Sequence, residues 1–257
     1  MSRYSRHIIL PEVGPVGQVK LLEAKVLVIG AGGLGLPVLQ YLAAAGVGRL
    51  GIVDHDNVSI SNLQRQVLFR EQDLDQNKAE VAQKLLALRN SQIQIEAHPV
   101  FFDTANAHAL VTSYDLVVDC TDNFRTRYLI NDVCIQADKP FVFAAIYKFE
   151  GQLTVFNYRG GPSYRCLFPH PPKAGEVPNC EEAGVLGVLP GILGLYQANE
   201  VLKIILELDE VLTGKMMAIN LLTNQQKLFS FKRDQNQIKR IKAAPLQCIA
   251  LNDCKNS

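Results

Sequence analysis

Four glycines stand where an apolar run gives way to a helical pattern, in the stretch "VLVIGAGGLGLPVLQYL" (26–42). Gly30, Gly32 and Gly35 have the spacing G-x-G-x-x-G, and Gly33 adds a further glycine inside it. Glycine lets the backbone approach a phosphate closely, and the first turn of the following helix offers free N–H donors. The spacing therefore predicts a binding site for the phosphates of a nucleotide.

Asp54 extends this predicted site, because it ends a second apolar stretch, "RLGIVD" (49–54). A carboxylate at that position can accept hydrogen bonds from ribose hydroxyls. A nicotinamide or flavin enzyme would show the same glycines and the same acid. These residues predict a nucleotide but leave its use open.

A second group of polar residues indicates what the nucleotide is for, because each follows a predicted strand or begins a predicted helix. Strand ends of a doubly wound sheet face one crevice. Two cations there can neutralise phosphate oxygens, and a carboxylate can hold Mg²⁺. This set of residues suits the binding of a triphosphate better than the binding of a nicotinamide cofactor. No G-x-x-x-x-G-K-[ST] supports an ordinary P-loop ATPase. The residues are Asn62, Gln64, Arg65, Lys78, Asp122 and Asn123.

The elements that must position these residues alternate between strands and helices, which predicts an α/β, doubly wound (Rossmann-like), mostly parallel sheet. We predict strands at 26–30, 49–54, 93–97, 114–122 and 140–146, with helices at 34–46, 77–90 and 124–137.

The pattern changes after residue 150. A strand at 151–158 and a closing hairpin, "KMMAINL" and "KLFSFK", predict added C-terminal antiparallel strands, and 185–207 reads as a long helix. Residues 159–184 lack a regular period. We predict a single domain over 1–257, with 234–257 as a loose tail.

Composition narrows the function classes. The 257 residues carry a formal net charge of +1, which gives no electrostatic case for nucleic acid or an anionic membrane. No apolar run reaches the roughly 18 residues that a membrane span needs. The N-terminal "MSRYSRHIIL" is too short and polar for a secretory signal, and six cysteines are too few for a disulfide scaffold. We expect a cytoplasmic protein.

Five segments together, "RYSRHIIL", "GAGGLG", "SNLQRQ", "DCTDN" and "CEEAGVLGVLPGILG", resemble the ThiF/MoeB/HesA family, the bacterial relatives of ubiquitin-activating enzymes. The resemblance runs from about residue 3 to about residue 233. It implies a homodimer of doubly wound α/β subunits that uses ATP and Mg²⁺. The implied reaction is adenylation of the C-terminal glycine of a small ubiquitin-like sulfur carrier protein, MoaD-like or ThiS-like.

The resemblance also implies roles for individual residues. Asp122 resembles the Mg²⁺-binding aspartate, with Asn123 beside it, and Gly33 would approach the ATP phosphates. Arg6 resembles an arginine that crosses into the partner subunit's ATP site. The remaining nucleotide contacts implied by the family are Asp54, Ser61, Asn62, Gln64, Arg65 and Lys78.

Zinc-binding members of the family carry two C-x-x-C pairs, and a structural zinc site needs four such ligands. Here "SYRC" keeps Cys166 but has Ser163 in place of the other cysteine, and "QNQIKR" after "KRD" contains no cysteine. Cys248 and Cys254 lie later, six residues apart. We therefore expect no zinc.

Cys180, in "PNCEEAG", matches a cysteine that some relatives use for a covalent link to the carrier and others do not need. A thiolate there could attack an acyl-adenylate. Its role stays open, as does the carrier. "CEEAGVLGVLPGILG" favours slightly the carrier of molybdopterin (molybdenum cofactor) synthesis over that of thiamine synthesis. Two alternative functions involve no adenylyl transfer. One is a non-catalytic ATP-binding module for a ubiquitin-like partner, and the other is a nicotinamide-dependent oxidoreductase.

Overall fold

The computed structural model describes residues 2–172 and 184–246. Within these ranges, strands and helices alternate through the first 136 residues and the later strands follow one another more closely. The strands are β1 Lys25–Ile29, β2 Arg49–Val53, β3 Gln94–His98, β4 Leu116–Asp119, β5 Phe141–Tyr147, β6 Glu150–Phe156, β7 Lys215–Asn220 and β8 Gln225–Ser230. The helices are α1 Ser5–Ile8, α2 Gly14–Glu23, α3 Gly35–Ala45, α4 Lys78–Arg89, α5 Ala107–Thr112, α6 Phe124–Gln136, α7 Tyr164–Leu167, α8 Val188–Ile205 and α9 Gln235–Ala243.

The described strands form one sheet in the order β3-β2-β1-β4-β5-β6-β7-β8. β1 to β5 run parallel to their neighbours, and β5 to β8 pair antiparallel. This confirms the predicted fold class, a doubly wound, mostly parallel sheet with added antiparallel strands. The order reverses between β1 and β4, and the crevice at such a reversal is where ligands bind in sheets of this kind.

Helices cover both faces of the sheet, as β1 shows residue by residue. Val26 and Val28 pack into the core that includes α3, α4 and α8, whereas Leu27 and Ile29 pack into the core that includes α5 and α6. Alternate side chains of a strand point to opposite faces, so a strand buried on both sides is apolar throughout. None of the described helices has the length and apolar character that crossing a membrane requires.

The boundaries of several elements differ from those predicted. β4 ends at Asp119, which leaves Asp122 in the loop before α6. In addition, the sequence analysis did not predict the helices α1, α2 and α5. The N-terminal helices present exposed apolar residues such as Ile9 and Val16, which obscures a periodic pattern.

The prediction of a loose tail from residue 234 is wrong for α9. The Asp234 side chain caps this helix by accepting hydrogen bonds from two backbone N–H groups. Ile238 and Ile241, three residues apart, are buried against Ile135 of α6. Two apolar residues among many charges give a stripe too narrow to recognise in the sequence. Residues 247–257, with Cys248 and Cys254, lie outside the described residues.

Hydrogen bonds complete the docking of α9. The Gln136 side-chain amide donates to the carbonyls of Ile241 and Ala244, at 3.0 and 2.8 Å. At the other end, the backbone N–H of Asp234 donates to the Cys166 sulfur at 3.2 Å, and the N–H of Ser163 donates to the same sulfur at 3.3 Å. Packing and hydrogen bonds therefore hold this end of the described fold together.

We predict that Ile241→Ala lowers the free energy of unfolding by about 2 kcal/mol, because it removes buried contact between α9 and α6. Urea denaturation measures the change. The wild-type midpoint should not change when EDTA is added, because the described residues hold α9 by apolar packing and hydrogen bonds.

Lys242→Ala is the matched control, since Lys242 is exposed on the same helix and its loss should change stability little. Equal effects of the two substitutions would contradict the docking of α9. One zinc per chain by elemental analysis, together with destabilisation by EDTA, would contradict the expectation of a metal-free closure.

Candidate active site

A cavity of about 1050 Å³ opens at the carboxyl ends of β1, β2 and β4 and continues over the antiparallel strands. Its lining includes the following residues singled out from the sequence: Gly30, Gly32, Gly33, Asp54, Asn62, Arg65, Lys78, Asp122 and Asn123. Residues up to 93 positions apart in the chain, from Gly30 to Asn123, thus meet in one crevice. The strand order brings them together, because the loops after β1, β2 and β4 leave the same edge of the sheet.

The glycine turn is shaped by backbone contacts. Gly30 has a positive φ of 98°, and a Cβ on it would lie 2.6 Å from the carbonyl oxygen of Cys120. A Cβ on Gly35 would lie 1.9 Å from the carbonyl oxygen of Gly30. These two glycines are needed to form the turn itself. Gly32 and Gly33 line the cavity, so their backbone is the part of the turn that can meet a phosphate.

Asp54 holds the glycine turn and the loop after β2 together. One carboxylate oxygen accepts a hydrogen bond from the N–H of Ala31 at 2.7 Å, and the other accepts from the N–H of Asp56 at 2.9 Å. Burial raises the pKa of the Asp54 carboxyl above its ordinary value, and both backbone bonds act in the opposite direction. Each oxygen has a further lone pair, so ribose hydroxyls can still bind to it.

Lys78 reaches the cavity from the first position of α4. Its ammonium donates to Asp56 at 2.9 Å, and its side chain is almost fully buried. The preceding Asn77 caps α4 and also donates to the carbonyls of Asp54 and Asp56. Lys78 thus places a positive charge beside the end of β2. The N-terminus of α4 lies at the same place and also attracts anions.

Arg65 and Asn62 occupy the cavity wall after β2. Arg65 donates to the carbonyl of Ser61 at 3.2 Å. The Asn62 side chain accepts a hydrogen bond from the side-chain amide of Gln66 at 3.2 Å, and the buried Gln66 side-chain oxygen, Oε1, has no hydrogen-bond partner within the described residues. Gln66 lines the cavity as well, and the sequence analysis missed it although it belongs to the quoted "SNLQRQ".

Asp122 and Asn123 form the loop between β4 and α6. The Asn123 side chain caps α6, accepting from the N–H of Thr126 at 2.9 Å. The Asp122 carboxylate is exposed at the cavity, and no side chain of the described residues hydrogen-bonds it. Mg²⁺ characteristically uses one or two carboxylates together with substrate phosphates and water. Asp122 therefore fits a cation held jointly with a nucleotide.

Aromatic residues also line the cavity, and the sequence analysis did not anticipate them. His55, which follows Asp54, and Phe101 meet edge to face, with ring centroids 4.8 Å apart. Arg127, on α6, lines the wall behind Asp122 and stacks on Phe143. The sequence does carry a signal for Phe101, because it lies in "PVFFD" directly after β3 and strand ends face the crevice.

Other predicted site residues lie outside this cavity wall. Ser61 and Gln64 follow β2 but are not part of the lining, and Gln64 packs against Gly187. Arg6 is exposed on α1 and does not line the described cavity. Cys180 lies outside the described residues, so its proximity to the site stays a prediction. Cys120 and Cys134 are buried.

Comparisons with known proteins agree with this geometry. The model of the ThiF family matches residues 4–240. A sulfur carrier protein adenylyltransferase of Thermus thermophilus is 49% identical over 239 residues, which cover 91% of this chain and 88% of the relative. The adenylyltransferase and sulfurtransferase MOCS3 of Anopheles gambiae is 51% identical, over 89% of this chain but only 51% of its own length. This chain thus spans about half of that relative.

Among solved structures, E. coli MccB with ATP is 26% identical to this chain and superposes with a TM-score of 0.74. The match covers 84% of this chain and 67% of MccB.

The glycine turn gives a test that separates binding from folding. A Cβ on Gly32 would make only ordinary contact, 3.6 Å from the Gln66 side chain, so Gly32→Ala should fold with a stability change below about 1 kcal/mol. It should weaken ATP binding about tenfold or more, because it covers backbone donors that face the phosphates. Isothermal titration calorimetry measures the affinity.

Gly35→Ala is the matched comparison, since its Cβ would collide with the Gly30 carbonyl. We expect it to lower stability by about 3 kcal/mol. The assignment of the two glycines would be overturned if Gly32→Ala unfolded the protein and Gly35→Ala left both stability and ATP binding intact.

Proposed function

Because the chain belongs to the ThiF family, we propose that it transfers the adenylyl group of ATP to the C-terminal glycine of a small ubiquitin-like sulfur carrier protein. The observation that carries this proposal is the convergence of the glycine turn, Arg65, Lys78 and Asp122 in one crevice. Nicotinamide chemistry needs no such combination of two cations and a metal-binding carboxylate around its phosphates.

The names of the relatives support the same reaction. The Thermus thermophilus relative is named for adenylylating a sulfur carrier protein, and the MOCS3 relatives combine that activity with sulfur transfer. A further relative, from Haloferax volcanii, is named a SAMP-activating enzyme E1 and is 51% identical. This chain matches about half of MOCS3 but nearly all of the Thermus thermophilus relative, whose name gives the adenylyltransferase activity alone, and this supports adenylyl transfer as the activity of the shared region.

The chemistry suits the residues present. A C-terminal carboxylate is already a nucleophile at neutral pH, so its attack on the α-phosphorus needs no general base. The enzyme must align carboxylate and phosphorus and offset the charge of the transition state. Arg65 and Lys78 would supply positive charge to the phosphate oxygens, and the glycine turn would supply backbone N–H donors.

Asp122 is the residue that would hold Mg²⁺, which supplies charge neutralisation to the departing pyrophosphate when bound. Asp54 would bind the ribose. Asn62 and Asn123 remain candidates for contacts with the nucleotide, although each also makes a hydrogen bond within the protein. Nucleotide contacts by Ser61 and Gln64 stay predictions from the family resemblance, since neither residue lines the cavity.

Several finer points belong to the proposal. We propose that the chain acts as a single adenylation domain, in the cytoplasm, and as a homodimer. The molybdopterin and thiamine carriers both fit the proposal, and pyrophosphate exchange with each carrier in turn distinguishes them. Whether Cys180 becomes covalently linked to the carrier is a separate question, because adenylation at the phosphates requires no thiol.

We predict that Asp122→Asn abolishes ATP–pyrophosphate exchange in the presence of the carrier, because it removes the charge that holds the cation while keeping the side chain's shape. Exchange of labelled pyrophosphate into ATP is the measurement. Asp122 is exposed, so the melting temperature should stay near that of the wild type. Near-normal exchange by the folded variant would remove Asp122 from the reaction.

A second prediction concerns Arg6, which is exposed on α1 outside its own subunit's cavity wall. The hydrogen bond from Asn90 to the hydroxyl of Tyr4, at 2.9 Å, anchors the start of this segment. If Arg6 completes the site of a partner subunit, Arg6→Ala and Lys78→Ala should each be nearly inactive. Mixing the two variants should restore part of the exchange activity, because a mixed dimer regains one complete site.

Arg3→Ala is the control for this experiment, because Arg3 is exposed three residues earlier and, among the described residues, donates to the carbonyl of Arg89. It should remain active alone. No recovery after mixing, despite subunit exchange shown by native mass spectrometry, would contradict the shared site.

A further inference from the structure

The short segment between β4 and Asp122 is held by more buried polar groups than its length requires. Asp119, the last residue of β4, is fully buried. One of its oxygens accepts hydrogen bonds from the N–H and the hydroxyl of Thr121, at 3.0 and 2.6 Å. Thr121 immediately precedes the residue proposed to hold the cation. The geometry of Thr121 therefore determines where the Asp122 side chain begins.

Arg127 holds the same threonine from the opposite side. This residue is buried on α6, and its guanidinium donates to the carbonyl of Thr121 at 3.1 Å. The guanidinium also stacks on the rings of Phe143 and Phe124, at 5.0 and 5.4 Å from the ring centroids. A planar cation held between rings and a carbonyl has little freedom to move.

Asp119 and Arg127 face each other with unused hydrogen-bonding capacity. The Arg127 Nε and the second Asp119 oxygen lie 3.7 Å apart, beyond hydrogen-bond distance. Neither atom has a hydrogen-bond partner within the described residues, and both are inaccessible to solvent. Leaving buried polar atoms without hydrogen bonds costs free energy, so their presence here calls for an explanation other than stability.

The sheet's other face fixes the same segment. Gln197 of α8 is fully buried and donates to the carbonyls of Asp119 and Val142, at 2.8 and 3.4 Å. Its side-chain oxygen accepts from the Cys120 thiol at 3.5 Å. The end of β4 is therefore held by polar side chains from helices on both faces of the sheet.

We propose that Asp119 and Arg127 are positioning residues that fix Thr121 and thereby aim the Asp122 carboxylate at a cation bound between it and the ATP phosphates. The proposal rests on the proposed function, because it takes Asp122 as the cation ligand. Residues behind metal ligands typically change metal affinity by about 10- to 100-fold when they are replaced. Neither residue needs to touch the nucleotide.

The test measures ATP binding by calorimetry, once in EDTA and once with saturating Mg²⁺, so that no carrier is required. The wild type should bind ATP more tightly with Mg²⁺. Arg127→Met should lose about tenfold or more of that Mg²⁺-dependent gain and keep its affinity in EDTA. Arg127→Lys should recover little, because an ammonium does not reproduce the planar, stacked guanidinium.

Arg125→Met is the matched control, because Arg125 is exposed on the same helix and does not line the cavity. It should behave as the wild type. Thr121→Val covers the case in which Arg127→Met fails to fold, since it removes only the hydroxyl bond to Asp119. We expect it to lower the Mg²⁺-dependent gain about threefold, in line with the loss of one hydrogen bond.

Two results with the variants would overturn the positioning role. One is a Mg²⁺ effect that stays as in the wild type in folded Arg127→Met, or in Thr121→Val if the first variant is unfolded. The other is an equal loss of affinity in EDTA and in Mg²⁺, which would make Arg127 a direct nucleotide contact. A wild type without any Mg²⁺ effect would also overturn it. Failure of the proposed function is distinguishable, because it would appear as absent pyrophosphate exchange with Mg²⁺-dependent ATP binding intact.

Discussion

The ends of β1 and β4 approach each other so closely that only glycine fits between them. Gly30 faces the carbonyl of Cys120, and the N–H of Cys120 donates to the carbonyl of Ile29 at 2.9 Å. This backbone contact fixes where the chain turns into α3 and where the loop toward Asp122 begins. Both halves of the crevice therefore depend on one contact at the point where the strand order reverses.

Three cationic side chains that line the crevice are held by protein groups before any nucleotide binds. Lys78 is paired with Asp56, Arg65 with a backbone carbonyl, and Arg127 with the carbonyl of Thr121. Charges fixed in this way need not reorganise when a reaction develops new charge, which is an effective source of electrostatic stabilisation. This arrangement suits phosphate chemistry, in which positioning and charge matter more than proton transfer.

The C-terminal strands extend both the sheet and the cavity. β6 to β8 extend the parallel sheet in antiparallel order and carry the cavity past the strand ends to Asn220 and Lys227. The cavity thereby continues beyond the residues proposed to bind a nucleotide, and a second substrate can approach along these strands. α9 then closes the described fold by packing Ile238 and Ile241 against α6, where sequence alone predicted a loose tail.

The sequence by itself determined the parallel strands, the glycine turn and a group of polar residues that face the crevice, because these depend on local signals. Apolar runs, glycine spacing and polar residues at strand ends are all readable along the chain. Only the tertiary structure decided that Gln66 and Arg127 line the crevice and that Ser61 and Gln64 do not. These assignments depend on how α6 and the loop after β2 pack on the sheet.

The packing of α6 also explains why the sequence analysis did not connect Asp119 with Arg127. Asp119 reads as part of an apolar strand with an acidic end, and Arg127 reads as one charge on an amphipathic helix. They lie eight positions apart in the sequence, with a loop between them, so no periodic pattern links them. Their meeting follows from the packing of α6 against β4 and β5, which buries both charges beside one threonine.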